Sequence, residues 1–106
     1  MDLNKYTQNS ISCLEFGQDF AKQNNNSTLT NFHILYAMMQ KKTIIYEILR
    51  KNGINLSKFD NFLLDELNKL PKVSGQNEVY ADSSLTKTLS LAEGIAKNMK
   101  DEFVSV

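Results

Sequence analysis

The chain has 106 residues, enough for one domain with a modest hydrophobic core. Its basic and acidic residues are equal at 12 each, so it lacks the basic excess typical of nucleic-acid-binding proteins. No apolar run approaches the ~20 residues needed to cross a bilayer, and residues 1–5 offer no apolar stretch for a secretory signal. Cys13 is the only cysteine, which excludes an intrachain disulfide and favours a reducing, cytoplasmic location.

The first predicted helix begins after Thr7, whose hydroxyl suits an N-cap. Apolar residues then recur mostly at steps of three and four, as on one face of a helix: Ile11, Leu14, Phe16, Phe20 and Ala21. The polar run 23–27, QNNNS, ends the pattern. The segment therefore predicts an amphipathic helix of about four turns.

A second helix is predicted over 32–40, with Asn31 as its cap. It is apolar on almost every side, which favours a place at the centre of the core. A short third helix follows, marked by Ile44, Ile45, Ile48 and Leu49. Gly53 stands where a left-handed residue would close that helix.

The fourth predicted helix opens near Ser57, which forms with Asp60 a pattern similar to a capping box. The helix stops at Pro71, because proline cannot continue it. Residues 72–82 are mainly polar and predict a surface loop or short linker.

A fifth helix is predicted after Ser83 or Ser84, either of which can act as its cap. Its principal apolar stripe consists of Leu85, Leu89, Ala92, Ala96 and Met99. Leu91 and Ile95 lie off this stripe and one turn apart, as an adjacent apolar pair at its edge. Two interpretations stay open: another helix covers the pair, or the pair lines an exposed groove for hydrophobic peptide segments.

The chain also repeats itself weakly at a spacing of 75 residues, which aligns Leu14 with Leu89. The second copy stops at Val106, where the counterpart of the central apolar helix would begin. We therefore expect an all-α, duplicated helical repeat with about five helices and a truncated second repeat, as in a fragment of a longer domain. The expected boundaries are 1–71 for the first repeat, 72–83 for a connecting loop and 84–106 for the start of the second repeat.

Residue types needed for catalysis are largely missing. The four glycines are scattered and form no phosphate-binding loop, and one histidine with one cysteine is too few for a zinc site. Cys13 and His33 are the one candidate pair of nucleophile and base. The commoner roles are a small core residue for Cys13, and for His33 a packing residue that donates to a backbone carbonyl. The sequence predicts a chain without catalytic site, cofactor or metal.

Several short stretches carry a family resemblance. Residues 3–7, LNKYT, and 29–35, LTNFHIL, resemble the opening and the core signature of the Clp repeat, and 52–54, NGI, matches the turn after its third helix. The most specific stretch is 67–75, LNKLPKVSG, because a helix that ends in Leu-Pro-x-Val-x-Gly is similar to ClpB-type AAA+ disaggregases rather than to ClpA or ClpC. The resemblance covers 1–106 as a Clp N-terminal domain, although Phe32 stands where the family usually has Pro or Glu.

The resemblance implies a module joined by a mobile linker to AAA+ ATPase modules in a homohexamer, with ATP and Mg²⁺ bound only in those other modules. The parent type threads aggregated polypeptides through its pore and works with the Hsp70 system, and its N-domain engages unfolded or aggregated polypeptide. By position, Leu91 and Ile95 match apolar residues of the substrate groove. Thr7 and Asp101 match polar positions that the family associates with chaperone function. Neither nucleic acid nor membrane is an implied partner.

Four other interpretations stay open. An N-domain of a ClpA- or ClpC-like protease unfoldase, which docks an adaptor, would share the fold, as would a free-standing Clp-like domain. A helical DNA-binding domain belongs to a different class, which the zero net charge and the apolar second helix disfavour. A small cysteine hydrolase would depend entirely on Cys13 and His33.

Overall fold

A computed structural model describes residues 7–73 and 79–98, with side chains given as far as residue 95. The described residues confirm the all-α class and contain five helices and two short strands. In chain order these are α1 (Gln8–Gln23), β1 (Thr28–Leu29), α2 (Asn31–Gln40), α3 (Ile44–Lys51), α4 (Leu56–Asn68), β2 (Tyr80–Ala81) and α5 (Ser83–Asn98).

The helices α1 and α2 pack closely against each other, as a glycine permits. A Cβ atom added at Gly17 would lie 3.2 Å from the Ile34 Cδ1 atom, so hydrogen at this position allows the approach. The rings of Phe16 and Phe20 flank Tyr36 of α2, with centroid distances of 6.3 and 5.1 Å. Since α2 also contacts α3 and α4, it holds the central place that its apolar sequence predicted.

A Schellman motif closes α3. The N–H of Gly53 donates to the Arg50 carbonyl at 3.2 Å, and the N–H of Ile54 donates to the Leu49 carbonyl at 3.1 Å. Gly53 has the positive φ of 77° that this motif requires, as the sequence predicted. The motif fixes Ile54 against the last turn of α3.

The start of α4 differs from the sequence prediction. The cap is Asn55, whose side-chain oxygen accepts from the Lys58 N–H at 3.1 Å, so the predicted capping box of Ser57 and Asp60 is wrong. Ser57 instead lies inside the first turn, because an amide side chain two residues earlier already satisfies the free N–H group. The helix ends before Pro71, as expected, and its Leu63 and Leu67 are fully buried.

The connection after α4 contains a strand that the sequence pattern did not reveal. Strand β2 pairs in parallel with β1, with Thr28 opposite Tyr80 and Leu29 opposite Ala81. Further up the connection, the Val73 N–H donates to the Asn25 carbonyl at 2.8 Å. In the described residues, the start of the predicted surface loop over 72–82 is therefore bonded to the turn between α1 and β1, and its end is bonded to β1.

A small core joins α5 to α1, β1 and α2. Buried side chains from α1, β1, the residue before β2, and α5 form one cluster: Ala21, Leu29, Val79 and Leu85. Ile34 and Leu89 pack against its edge. Because Leu85 is 1% exposed, the start of α5 is anchored in this core.

Candidate functional site

The position of α5 is fixed at its first turn by Asp82. The Asp82 carboxylate accepts from the Leu85 N–H at 2.8 Å, and the Asp82 N–H donates to the Leu29 carbonyl at 2.9 Å. Asp82 therefore caps the helix, so the prediction of Ser83 or Ser84 as the cap is wrong by one or two residues. A carboxylate also suits the positive end of the helix dipole better than a hydroxyl. This cap ties the helix to β1.

The two sides of α5 differ sharply in exposure. Leu85 is buried, Leu89 packs against the core, and Ala92 is half-buried, which agrees with the predicted stripe. The side chain of Ala96 and all of Met99 lie outside the described residues. By contrast, the predicted pair is exposed, with 66% of Leu91 and 50% of Ile95 open to solvent. No described helix covers this pair, which we call the α5 pair.

Of the other two predicted site residues, Thr7 lies at the start of α1, and Asp101 is not described. Thr7 is the N-cap of α1, and its Oγ1 accepts from the Ser10 N–H at 3.3 Å. This confirms the predicted cap and gives Thr7 a structural role. Asp101 lies outside the described residues. The candidate site therefore rests on Leu91 and Ile95.

The environment of Cys13 and His33 is unsuited to nucleophilic catalysis. Both side chains are 1% exposed, and no hydrogen bond joins them among the described residues. Burial raises the pKa of the Cys13 thiol, although nearby Lys41 acts in the opposite direction. Since the thiolate is the nucleophile, a buried thiol with a raised pKa is a core residue rather than a reactive one.

His33 belongs to a buried polar network, and its geometry defines the tautomer. The Thr30 N–H donates to His33 Nδ1 at 2.9 Å, so Nδ1 has no proton. The proton is then on Nε2, which donates to the Asn26 side-chain oxygen at 3.0 Å. The same oxygen also accepts from the side-chain amide of Asn24 at 3.1 Å. The predicted packing role of His33 thus has a different acceptor, a side-chain amide instead of a backbone carbonyl.

Two features near these sites were not predicted from the sequence. Asn26 was treated only as part of a helix-ending run, yet it is 1% exposed and is the partner of His33. The isoleucines of α3 served only to mark that helix, yet Ile44 is 58% exposed and Ile48 is 48% exposed. The basic composition of 41–51 around these side chains was the sequence signal that could have indicated a surface position.

Across residues 7–73 and 79–98, no group of three or more His, Cys, Asp or Glu side chains is placed to hold a metal ion. Within the same residues, no helix has the length and apolar character needed to cross a membrane. Large exposed apolar side chains of the described helices lie on α5 (Leu91 and Ile95), on α3 (Ile44 and Ile48) and on α4 (Phe62).

Comparison with sequence families gives one clear match. The model of the Clp repeat (R) N-terminal domain matches residues 5–106. Among curated proteins, the chain is similar to the chaperone protein ClpB of Clostridium tetani, at 36% identity over 111 residues, and to that of Rickettsia felis, at 30% over 109 residues. Both alignments cover 100% of this chain but only 13% of the relative.

Comparison with solved structures agrees on the fold. The N-terminal domain of Hsp104 from Candida albicans superimposes with a TM-score of 0.86 at 22% identity, over 95% of this chain and 67% of that one. The N-terminal domain of the ClpV1 ATPase from Escherichia coli gives a TM-score of 0.87 at 17% identity, over 96% of this chain and 63% of that one. At these identities the likeness concerns the fold alone.

Proposed function

Because the chain belongs to the Clp repeat (R) N-terminal domain family, as its sequence predicted, we propose that it is the polypeptide-binding N-terminal module of a ClpB-type disaggregase. The observation that carries the proposal is the α5 pair, since Leu91 and Ile95 are 66% and 50% exposed on a helix whose first turn is anchored in the core. Unfolded and aggregated chains differ from folded ones by exposing apolar side chains. Two adjacent aliphatic side chains on an anchored helix can contact such apolar groups whatever the sequence around them.

The small size of the α5 pair favours weak binding. Burying a whole aliphatic side chain is worth about 1.5–3 kcal/mol, and part of each side chain of the pair is already covered. Binding also costs the ordering of the peptide, so a single module would hold a segment weakly. Several copies in one assembly would strengthen the hold by raising the effective concentration. Weak contact suits a protein that must pass its substrate onward.

The remaining functions belong to the parent protein in this proposal. The chain spans 13% of the length of its curated ClpB relatives. The parent would be a cytoplasmic homohexamer that binds ATP and Mg²⁺ in AAA+ modules and cooperates with the Hsp70 system. The chain itself would be non-catalytic and would need no cofactor, which the burial of Cys13 and His33 supports.

The helical DNA-binding interpretation has little support from α2. A recognition helix must present several side chains to the major groove. In α2 only Gln40 is exposed, and the first turn carries the buried His33. The zero net charge of the chain also disfavours phosphate binding.

The proposal is tested by titrating the ¹⁵N-labelled chain with reduced, carboxyamidomethylated α-lactalbumin, which remains unfolded. We expect weak binding, with amide shifts concentrated on α5, and a loss of affinity of at least about threefold in Leu91→Gln. Because Leu91 is exposed, the circular dichroism of this variant should match that of the wild type.

Ile44→Gln is the matched control, because it removes a similarly exposed aliphatic side chain from a different helix. It should leave the response of α5 unchanged. If Leu91→Gln binds the unfolded protein as well as the wild type does, the α5 pair is not the binding site. If no amide of α5 responds to the titration, the proposed function fails at this surface.

A further inference from the structure

The helix α3 is strongly amphipathic, yet none of its residues is buried. Ile45, Tyr46 and Leu49 are half-buried on the side that faces the rest of the domain. On the other side, Ile44 is 58% exposed and Ile48 is 48% exposed, and the two are one turn apart. Ile54, held at the end of α3 by the Schellman motif, is 45% exposed. These three isoleucines form what we call the α3 face.

The segment that carries the α3 face is basic. Residues 41–51 contain Lys41, Lys42, Arg50 and Lys51 but only one acidic residue, Glu47, in a chain whose net charge is zero. Glu47 pairs with Arg50 at 2.8 Å, and this hydrogen bond is the main cause that lowers the pKa of Glu47. The three lysines of the segment form no ion pair among the described residues.

Two of these lysines lie over aromatic rings. The Lys41 ammonium lies 5.7 Å from the centroid of Phe16, and the Lys42 ammonium lies 5.9 Å from the centroid of Tyr46. Lys51 is in the last turn of α3, where a cation is favoured by the helix dipole. Basic residues therefore lie before the first turn of α3 and in its last turn.

We propose that the α3 face is a docking surface for a partner protein, and that the docked segment carries apolar side chains flanked by Asp or Glu. The isoleucines would supply the contact area, and the lysines would steer the acidic segment and fix its orientation. A second copy of this chain fits the surface poorly. A two-fold contact places the same patch on both sides, so it would bring lysines against lysines.

The test uses a synthetic amphipathic peptide with leucines on one helical face and glutamates beside them. The control peptide has lysine at every glutamate position. We expect the acidic peptide to shift the amides of 41–54 in the ¹⁵N-labelled chain, more weakly at high salt, and the lysine peptide to leave them unchanged. Binding of both peptides with equal affinity would overturn the assignment of an acidic partner.

Three variants locate the contact. Ile48→Gln should weaken the acidic peptide about fivefold, since it removes a half-exposed aliphatic side chain from the contact. Lys51→Glu should weaken it as well and reduce its salt dependence. Leu91→Gln on α5 should have no effect. If Ile48→Gln loses helicity, Lys51→Glu still decides the question, because its charge is fully outside the core.

Two results would overturn the proposal. One is a pattern of shifts centred on α5 instead of α3, and the other is unchanged affinity in both Ile48→Gln and Lys51→Glu. Self-association through 41–54 in analytical ultracentrifugation would replace the partner with a second copy of the chain. The inference stands apart from the proposed chaperone role, because that role depends on Leu91 and this one does not.

Discussion

At the scale of single residues, the buried His33 makes the stability of the fold depend on pH. Burial, with Asp82 acting in the opposite direction, lowers the pKa of His33 from 6.5 to about 4. As the pH falls below 6.5, the unfolded chain takes up a proton that the folded chain does not, so the fold loses stability until about pH 4. Between pH 7 and pH 5 we expect a loss of about 2 kcal/mol from His33 alone.

His33→Gln provides the matched control for this prediction. A glutamine in the first turn can still accept from the Thr30 N–H, as in a capping box, but it does not titrate. Urea unfolding at pH 7 and pH 5 should show a smaller loss of stability in His33→Gln than in the wild type. An equal loss in both proteins would assign the whole effect to the carboxylates and contradict the role given to His33.

The same residue shows what sequence reasoning can reach at this scale. A histidine in the first turn of an apolar helix is predictably a packing residue, and its burial confirms that. Its partner could not be named in advance, because Asn26 lies seven positions away in a polar turn. Only the fold of that turn directs the amide inward while its neighbour Asn25 takes a positive φ of 57°.

At the scale of helices, two glycines provide a matched pair. A glycine inside a helix costs about 1 kcal/mol relative to alanine. Around Gly94 of α5 no atom lies within 4 Å of an added Cβ, so Gly94→Ala should raise the stability by up to about 1 kcal/mol. At Gly17 the added methyl would press on Ile34, so Gly17→Ala should gain less or lose stability.

Urea denaturation of the two alanine variants beside the wild type measures this difference. The comparison holds the chemical change constant and varies only the surroundings. An equal gain at both positions would mean that α1 and α2 do not approach as closely as the structure has them. The close packing inferred at Gly17 would then be wrong.

Helix positions were predictable because the apolar period is long. Of the predicted caps, Thr7 of α1 is confirmed, but those of α2, α4 and α5 are wrong, and Thr30 rather than Asn31 caps α2. The sequence offers several capping side chains within one turn, such as Asn55 beside Ser57 and Asp82 beside Ser83. Which of them accepts the free N–H depends on the path of the preceding loop. In both cases the residue nearer the N-terminus took the role, and α5 is tied to β1 through it.

At the scale of the whole molecule, the sequence indicated an all-α repeat but not the strand that joins its parts. A strand of two residues, Tyr80–Ala81, has no measurable period, and its flanks are polar. Its partner strand, which includes Leu29, lies far away in the sequence, so the local pattern could not reveal the pairing. For the same reason the exposure of Leu91 needed the structure. The apolar period placed Leu91 off the main stripe but could not show whether another part of the fold covers it.

The most direct test of this architecture compares two leucines on α5. Leu85 lies in the cluster that links α5 to α1 and β1, and Leu85→Ala should cost about 3 kcal/mol, since the fully buried side chain leaves a cavity. Leu91→Ala should change the stability by less than about 0.5 kcal/mol, because the side chain is exposed. Urea unfolding followed by circular dichroism measures both.

Hydrogen exchange of the α5 amides separates global from local effects in the same pair. If the cluster around Leu85 holds α5 on α1 and β1, Leu85→Ala should speed exchange along α5 more than in α4. Leu91→Ala should leave all exchange rates near the wild-type values. Equal destabilisation by the two variants would mean that Leu91 is covered in solution. An exposed α5 pair could then no longer explain polypeptide binding.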